Sequence, residues 1–164
     1  MDSRRELHDF AGKLLGQMLR GVDRAADMAI VMFGPDVTYT PRPLPPRDIP
    51  RFGLHIQCSW RISHGSSVIV GSADAYDPEA PPNSDTWAPV FARAAEVLAD
   101  GTAIVRRVAA SANGDLRVEL SSGYRIEVFV DGSKRDAEMY RILVVDGGDA
   151  VVFGNEVEIL PPPA

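Results

Sequence analysis

Polar and apolar side chains alternate strictly between residues 54 and 62, and the polar ones are of the types that bind ligands or transfer protons. The polar side carries His55, Gln57, Ser59 and Arg61. Histidine gains or loses a proton near neutral pH, and glutamine and arginine donate hydrogen bonds. A period of two predicts a β-strand with one buried and one solvated face. The solvated face is about 20 Å long, so an extended ligand such as a peptide fits it better than a compact substrate.

A turn at His64-Gly65 is expected to bring a second strand back along the first. If that turn has two residues, His55 lies opposite Asp74 across the hairpin. A carboxylate at that distance raises the pKa of a histidine, which is a starting arrangement for acid–base chemistry. Tyr76 follows in a proline-rich acidic loop. The predicted binding residues are therefore His55, Gln57, Arg61, Asp74 and Tyr76.

The sequence contains no recognisable catalytic or metal centre. Ser72 would be a diagonal neighbour of His55, about 7–8 Å away between Cα atoms, which is too far to complete a nucleophilic triad. His55 and Cys58 are three positions apart on a strand, so they point to opposite faces and cannot share a metal ion. We therefore expect no catalytic residue, no metal ligand and no cofactor.

The charges are unevenly distributed along the chain. The formal net charge is −6, and residues 111–164 contain ten acidic residues and five basic ones. An acidic surface repels the phosphate backbone of nucleic acids and attracts basic proteins. The sequence therefore favours a basic protein partner and disfavours nucleic-acid binding.

Cysteine content and hydropathy bear on the cellular compartment. Cys58 is the single cysteine, so no internal disulfide can form. No window reaches the roughly 18 consecutive apolar residues of a membrane-spanning helix, and the first residues are polar, unlike a signal peptide. These features predict a cytoplasmic protein that does not interact with membranes.

Two helices are expected to position these residues. Apolar side chains at helical spacing, with Ser3 as N-cap, predict an N-terminal helix over residues 3–20. A central helix is predicted to start after the capping residues Asn83–Asp85 and to end near Asp100. Between them, residues 41–50 include five prolines and should form a stiff loop.

The rest of the chain has the pattern of a β-meander. Short β-branched runs after residue 103 are separated by Gly, Asn and Asp turns, which predicts antiparallel strands. Because the strands do not alternate regularly with helices, the expected class is α+β, with the sheet packed against an N-terminal helix and one central helix. The length fits one domain over residues 1–164.

The segment from Gly53 to Ile62 reads Gly-Leu-His-Ile-Gln-Cys-Ser-Trp-Arg-Ile, and Val70-Gly71-Ser72-Ala73-Asp74 follows it. This combination resembles a group of small uncharacterised proteins from GC-rich bacteria, in which a Leu-His-Ile-Gln-Cys-x-Trp-Arg-like strand precedes a Gly-x-x-Asp segment. The likeness is confined to part of the chain. It implies a bacterial protein, and it implies no activity because none is established for that group.

Two functions remain open from the sequence. The first is a non-enzymatic interaction protein, such as an immunity-like or regulatory partner of another bacterial protein, which the acidic last third and the polar strand face favour. The second is a small-ligand-binding domain or an enzyme with a pocket near His55 and Asp74. A flat acidic surface would favour the first function, and an enclosed pocket would favour the second.

Overall fold

A computed structural model describes residues 3–163 of the chain, and within them two α-helices and two antiparallel sheets are present. The helices are α1 (Ser3–Ala11) and α2 (Trp87–Val97). The strands are β1 (Leu19–Ala25), β2 (Met28–Tyr39), β3 (Arg47–Ile56), β4 (Ser59–His64), β5 (Ser67–Gly71), β6 (Val105–Ala110), β7 (Leu116–Leu120), β8 (Tyr124–Phe129), β9 (Glu138–Val144), β10 (Gly148–Phe153) and β11 (Val157–Leu160). This arrangement confirms the predicted α+β class, with an N-terminal helix, a central helix and antiparallel strands.

The two sheets differ in size and strand order. The six-stranded sheet has the order β1-β2-β3-β9-β10-β11, and the five-stranded sheet has the order β5-β4-β8-β7-β6. The strands β6–β8 form a meander in the smaller sheet, and β9–β11 form a second meander in the larger one. Helix α1 contacts β6 of one sheet and β10 and β11 of the other, whereas α2 contacts β1 and β5. Each helix therefore bridges the two sheets.

One hydrophobic core lies between the sheets. Leu54 and Ile56 of β3 and Trp60 and Ile62 of β4 belong to this core, and all four side chains are buried. Tyr140 of β9 is fully buried, and its hydroxyl donates a hydrogen bond to the carbonyl oxygen of Gly114 at 2.6 Å. Because Gly114 lies in the β6–β7 turn, this bond connects the two sheets across the core.

The strand predicted over residues 54–62 is interrupted at Gln57 and Cys58. The first half belongs to β3 in the six-stranded sheet and the second half to β4 in the five-stranded sheet. The apolar alternation continues through the break because both halves bury the same side of the chain in the shared core. His55 and Arg61 therefore lie on the outer faces of different sheets, and the predicted continuous polar face is wrong.

The predicted pairing of the hairpin is also wrong. The turn lies at Gly65 and Ser66, so that His64 pairs with Ser67, and an irregularity shifts the register before Ile62 pairs with Val70. Gly65 has φ +59°, a conformation that glycine adopts easily. His55 pairs with Ile30 and Arg141 instead of Asp74, because its strand is a different one from the strand that forms the hairpin.

The N-terminal helix is shorter than the predicted segment 3–20. It ends at Ala11, where a short 3₁₀ turn follows, and β1 begins at Leu19. The intervening backbone forms hydrogen bonds with residues 103–105, including Gly16 N to Val105 O and Leu19 N to Ala103 O. These long-range backbone bonds override the local helical periodicity.

The other two predicted segments also differ at their ends. The end of the predicted 41–50 loop lies inside β3, because Ile49 pairs with Val37 and Pro50 pairs with Asp36. The central helix ends at Val97, earlier than predicted. Its N-terminal backbone amides at residues 87 and 88 donate to the carboxylate of Asp85, as the predicted capping role requires. No helix among residues 3–163 is both long enough and apolar enough to span a membrane.

Candidate functional site

A concave groove of about 540 Å³ lies on the outer face of the six-stranded sheet. Its floor includes Gly53 and His55 of β3, Leu143 of β9 and Asp149 of β10. Most of its lining side chains are apolar, and they come from β2, β3, β9 and the segment that follows β11. We refer to this feature as the groove.

One wall of the groove is an extension of the β2–β3 ladder. The register shifts between Phe33 and Asp36, and the two strands then continue as a pair as far as Tyr39 and Arg47. A bulge of this kind bends a strand and increases its twist, so it redirects the end of the ladder. Tyr39, Arg47 and Ile49 from this end line the groove.

The opposite wall is formed by the end of β11 and the residues that come after it. Leu160, Pro161 and Pro163 line the groove there. Gly148 has φ +80°, and a Cβ atom at this position would lie 2.2 Å from the carbonyl oxygen of Leu160. Only glycine permits this close approach, so Gly148 allows the end of β11 to pack against β10.

The floor contains a gap because Gly53 has no side chain. Gly53 pairs with Met32 of β2 and Leu143 of β9, so the three residues form one row across the sheet. A Cβ atom on Gly53 would lie 3.1 Å from Nε2 of His55. The imidazole therefore borders the space above Gly53, and a larger residue there would fill that space.

The imidazole of His55 is half-buried, and its neutral form predominates at pH 7. Burial lowers its pKa below the usual value of 6.5, and the neighbouring Arg141 lowers it further, whereas Glu138 and Asp149 oppose the shift. Arg141 bonds to Glu138 and to Asp149, each at 2.8 Å. No side-chain or backbone group of residues 3–163 forms a hydrogen bond with the His55 ring. The neutral ring is therefore able to donate one hydrogen bond to a molecule in the groove and to accept one from it.

Of the five binding residues predicted from the sequence, His55 lines the groove and the others lie elsewhere. Gln57 is exposed at the break between β3 and β4. Asp74 accepts a hydrogen bond from Gly71 N at 2.9 Å within a 3₁₀ turn, and Tyr76 is 81% exposed. Arg61 lies on the five-stranded sheet with Glu127. The predicted His55–Asp74 pair is absent.

Glu127 is a buried carboxylate on the five-stranded sheet. It is 4% exposed and receives hydrogen bonds from Arg61 Nε at 2.8 Å, Ser63 Oγ at 2.8 Å and Arg117 Nη2 at 3.1 Å. The bond from Arg61, together with those from Ser63 and Arg117, lowers the pKa of Glu127 to about 2. Glu127 is therefore ionised throughout the physiological pH range.

The remaining candidate groups of residues 3–163 form no metal site. Burial raises the pKa of the Cys58 thiol to about 12, and Asp131 adds to the shift, so this cysteine is a poor nucleophile at neutral pH. Within residues 3–163, no three His, Cys, Asp or Glu side chains are grouped closely enough to hold a metal ion.

Comparison with known proteins adds no family to this geometry: no protein-family model, curated protein or solved structure matches the chain. The resemblance at Gly53–Ile62 to small proteins of GC-rich bacteria stays a prediction. The function is therefore argued from the groove and the charged residues themselves.

Substituting Arg141 by glutamine is expected to raise the pKa of His55. The change removes the cation opposite the imidazole and leaves Glu138 and Asp149 without their arginine, and both effects favour the imidazolium ion. Asp74→Asn is expected to leave this pKa unchanged, because Asp74 does not pair with His55. NMR titration of the imidazole signals measures both variants, and equal shifts in the two would contradict the geometry.

Proposed function

We propose that the chain is a ligand-binding domain whose groove takes up a small, mostly apolar molecule with one hydrogen-bonding group. The observation that carries this proposal is the neutral His55 ring, which is half-buried in the groove without a hydrogen-bond partner among the described residues. No buried side-chain nitrogen or oxygen atom of the described residues lacks a hydrogen-bond partner, so the ring nitrogens of His55 are accessible to water. A ligand that hydrogen-bonds to His55 would take the place of water at the ring.

The size and lining of the groove support the same proposal. Its volume of about 540 Å³ lies within the range of roughly 300–1,000 Å³ that small-molecule sites occupy. Such sites combine apolar walls, which supply affinity, with a few polar groups, which orient the ligand. Here Ile30, Met32 and Leu143 are apolar contacts on the sheet, and His55 is the orienting group.

The groove favours the second function that the sequence leaves open, which is a small-ligand-binding domain. Its lining includes His55 but not Asp74. Part of the acidity that suggested a basic partner is already neutralised by arginine. The acidic residues of the last third that form ion pairs with arginines are Glu119, Glu127, Glu138 and Asp149. The immunity-like interaction with a basic protein stays a prediction.

Gly53→Val is expected to block the groove. The new side chain would occupy the space between Met32 and Leu143 and would contact the His55 ring. The probe is N-phenyl-1-naphthylamine, a neutral apolar fluorophore with one N–H donor. We expect saturable fluorescence enhancement with the wild-type protein, chemical-shift changes at His55 and Leu143, and at least about tenfold weaker binding by Gly53→Val.

Gly101→Val is the matched control. A Cβ atom at Gly101 meets no other atom within 4 Å, and this residue lies in a turn away from the groove. The control should bind the fluorophore like the wild type. Equal binding by Gly53→Val and the wild type, or shift changes outside the groove, would contradict the proposed function.

A further inference from the structure

The outer face of the five-stranded sheet carries one arginine on each of four adjacent strands. Strand pairing places Glu127 between Arg61 of β4 and Arg117 of β7, and it places Glu119 between Arg125 of β8 and Arg107 of β6. The six residues form two neighbouring rows across the sheet. We call this set the arginine face: Arg61, Arg107, Arg117, Arg125, Glu119 and Glu127.

The arginine face is positively charged on a negatively charged chain. Four guanidinium groups surround two carboxylates, which leaves a local formal charge of +2, whereas the whole chain has a charge of −6. The side chains of Arg107, Arg117 and Arg61 are 74%, 50% and 43% exposed. The cationic groups are therefore turned to solvent, while the Glu127 carboxylate lies beneath them.

The buried carboxylate holds the guanidinium groups in place. Arg61 donates to both oxygens of the Glu127 carboxylate, Arg117 donates to Oε1, and Ser63 donates to Oε2. Arg125 donates to Ser63 Oγ at 3.2 Å and to the carbonyl oxygen of Gly65 at 2.7 Å. Each guanidinium has five N–H donors, so several remain for an external acceptor. Holding the side chains in advance reduces the entropy lost on binding.

We propose that the arginine face is an interaction surface for an acidic, extended polypeptide segment of a partner protein. Carboxylates match the planar fork of arginine donors, and the positive face attracts them over the Debye length of about 8 Å at physiological salt. From β4 to β6 the face spans three strand spacings, or about 14 Å, which equals about four residues of an extended chain. A short run of Asp or Glu residues fits this span.

A polypeptide is favoured over a nucleic acid for two reasons. A long polyanion would continue beyond the face onto a chain whose net charge is −6 and would be repelled there. Base stacking also requires open aromatic rings, and the ring of Phe129 beside this face has the Arg61 guanidinium above it at 5.0 Å. The partner inferred here is acidic and contacts the sheet opposite the groove, so the inference is independent of the proposed ligand.

The test uses an acetylated octaglutamate peptide as the probe, and NMR follows the side-chain Nε–H signals of the arginines. We expect shifts confined to Arg61, Arg107, Arg117 and Arg125, and binding that weakens as salt rises from about 50 mM to about 300 mM. Arg107→Glu should weaken binding at least about fivefold, because it reverses the most exposed charge of the face.

Arg93→Glu on α2 is the matched control, because it changes the net charge equally at an exposed arginine outside the face. It should weaken binding less than about twofold. Equal weakening by the two variants would show that only the net charge matters and would overturn the proposal. Tighter binding of octathymidylate than of the peptide to the same signals would overturn the assignment of a polypeptide partner. Amide spectra of both variants confirm that they are folded.

Discussion

Replacing Glu127 by glutamine is expected to lower the free energy of unfolding at pH 7 by about 2 kcal/mol. Glutamine keeps the size of the side chain, but its amide NH₂ group would face the donors of Arg61 or Arg117. Reduction of the pKa from 4.5 to about 2 corresponds to about 3 kcal/mol at most. Because both arginines are about half exposed, solvent screening reduces that figure.

The pH dependence of this effect has a defined sign. The pKa of Glu127 is lower in the folded state than in the unfolded state, so its ionised form stabilises the fold above pH 4.5. That contribution is lost as the pH falls from 4.5 towards 2, where the folded state must also take up the proton. Urea denaturation of the wild type and Glu127→Gln at several pH values should therefore give stabilities that converge at low pH.

Glu119→Gln is the control for the Glu127 prediction. Glu119 lies on the same face, but its side chain is 28% exposed and its closest arginine nitrogens lie at 3.9 and 4.0 Å. The control should change the stability by less than about 0.5 kcal/mol. A difference between Glu127→Gln and the wild type that stays constant from pH 7 to pH 2.5 would show that the carboxylate charge is not the cause.

The strands after residue 103 could be predicted from the sequence because local turns delimit them. The turn at Asn113-Gly114 lies between β6 and β7, and Gly123 lies between β7 and β8. Both glycines have positive φ. Alternation then identifies the buried side of each strand. These signals come from residues that are close in sequence, so a single sequence contains them.

The N-terminal segment could not be predicted in the same way. Leu14 and Met18 continue the helical spacing of α1, but the backbone around them bonds to residues 103–105. The break at Gln57 and Cys58 could not be predicted from the sequence either, because the alternation of apolar residues is the same on both sides of it. Strand pairing between distant segments determines both features, and hydrophobic periodicity does not report it.

Prediction of the groove from the sequence meets the same limit, because its residues come from distant strands. His55 could be selected by residue type alone, but its charged neighbour Arg141 and the floor residue Leu143 come from β9. Gly53 next to Leu54 gave no sequence signal, since a glycine in a strand is equally consistent with a bulge or an edge. A residue type can indicate chemistry, whereas the partners that set its pKa depend on register.

Tyr140→Ala is expected to lower the free energy of unfolding by about 4 kcal/mol, the largest effect predicted for this chain. The side chain is completely buried between the sheets, so its removal leaves a cavity that the surrounding strands cannot close. Tyr140→Phe keeps the ring and should cost about 1–2 kcal/mol, because the carbonyl of Gly114 loses its hydrogen bond. Tyr76→Phe is the control, since that ring is 81% exposed. Urea denaturation measures all three variants.

A second measurement separates the hydroxyl of Tyr140 from its ring. Burial raises the pKa of this phenol above its usual value of 10, so the unfolded state loses the proton first as the pH rises. The wild type should therefore lose stability above pH 10 through this group, and Tyr140→Phe should lose less over the same range. If the two proteins instead lose stability in parallel between pH 9 and pH 11, the hydroxyl is not held neutral in the core and its bond to Gly114 does not connect the two sheets.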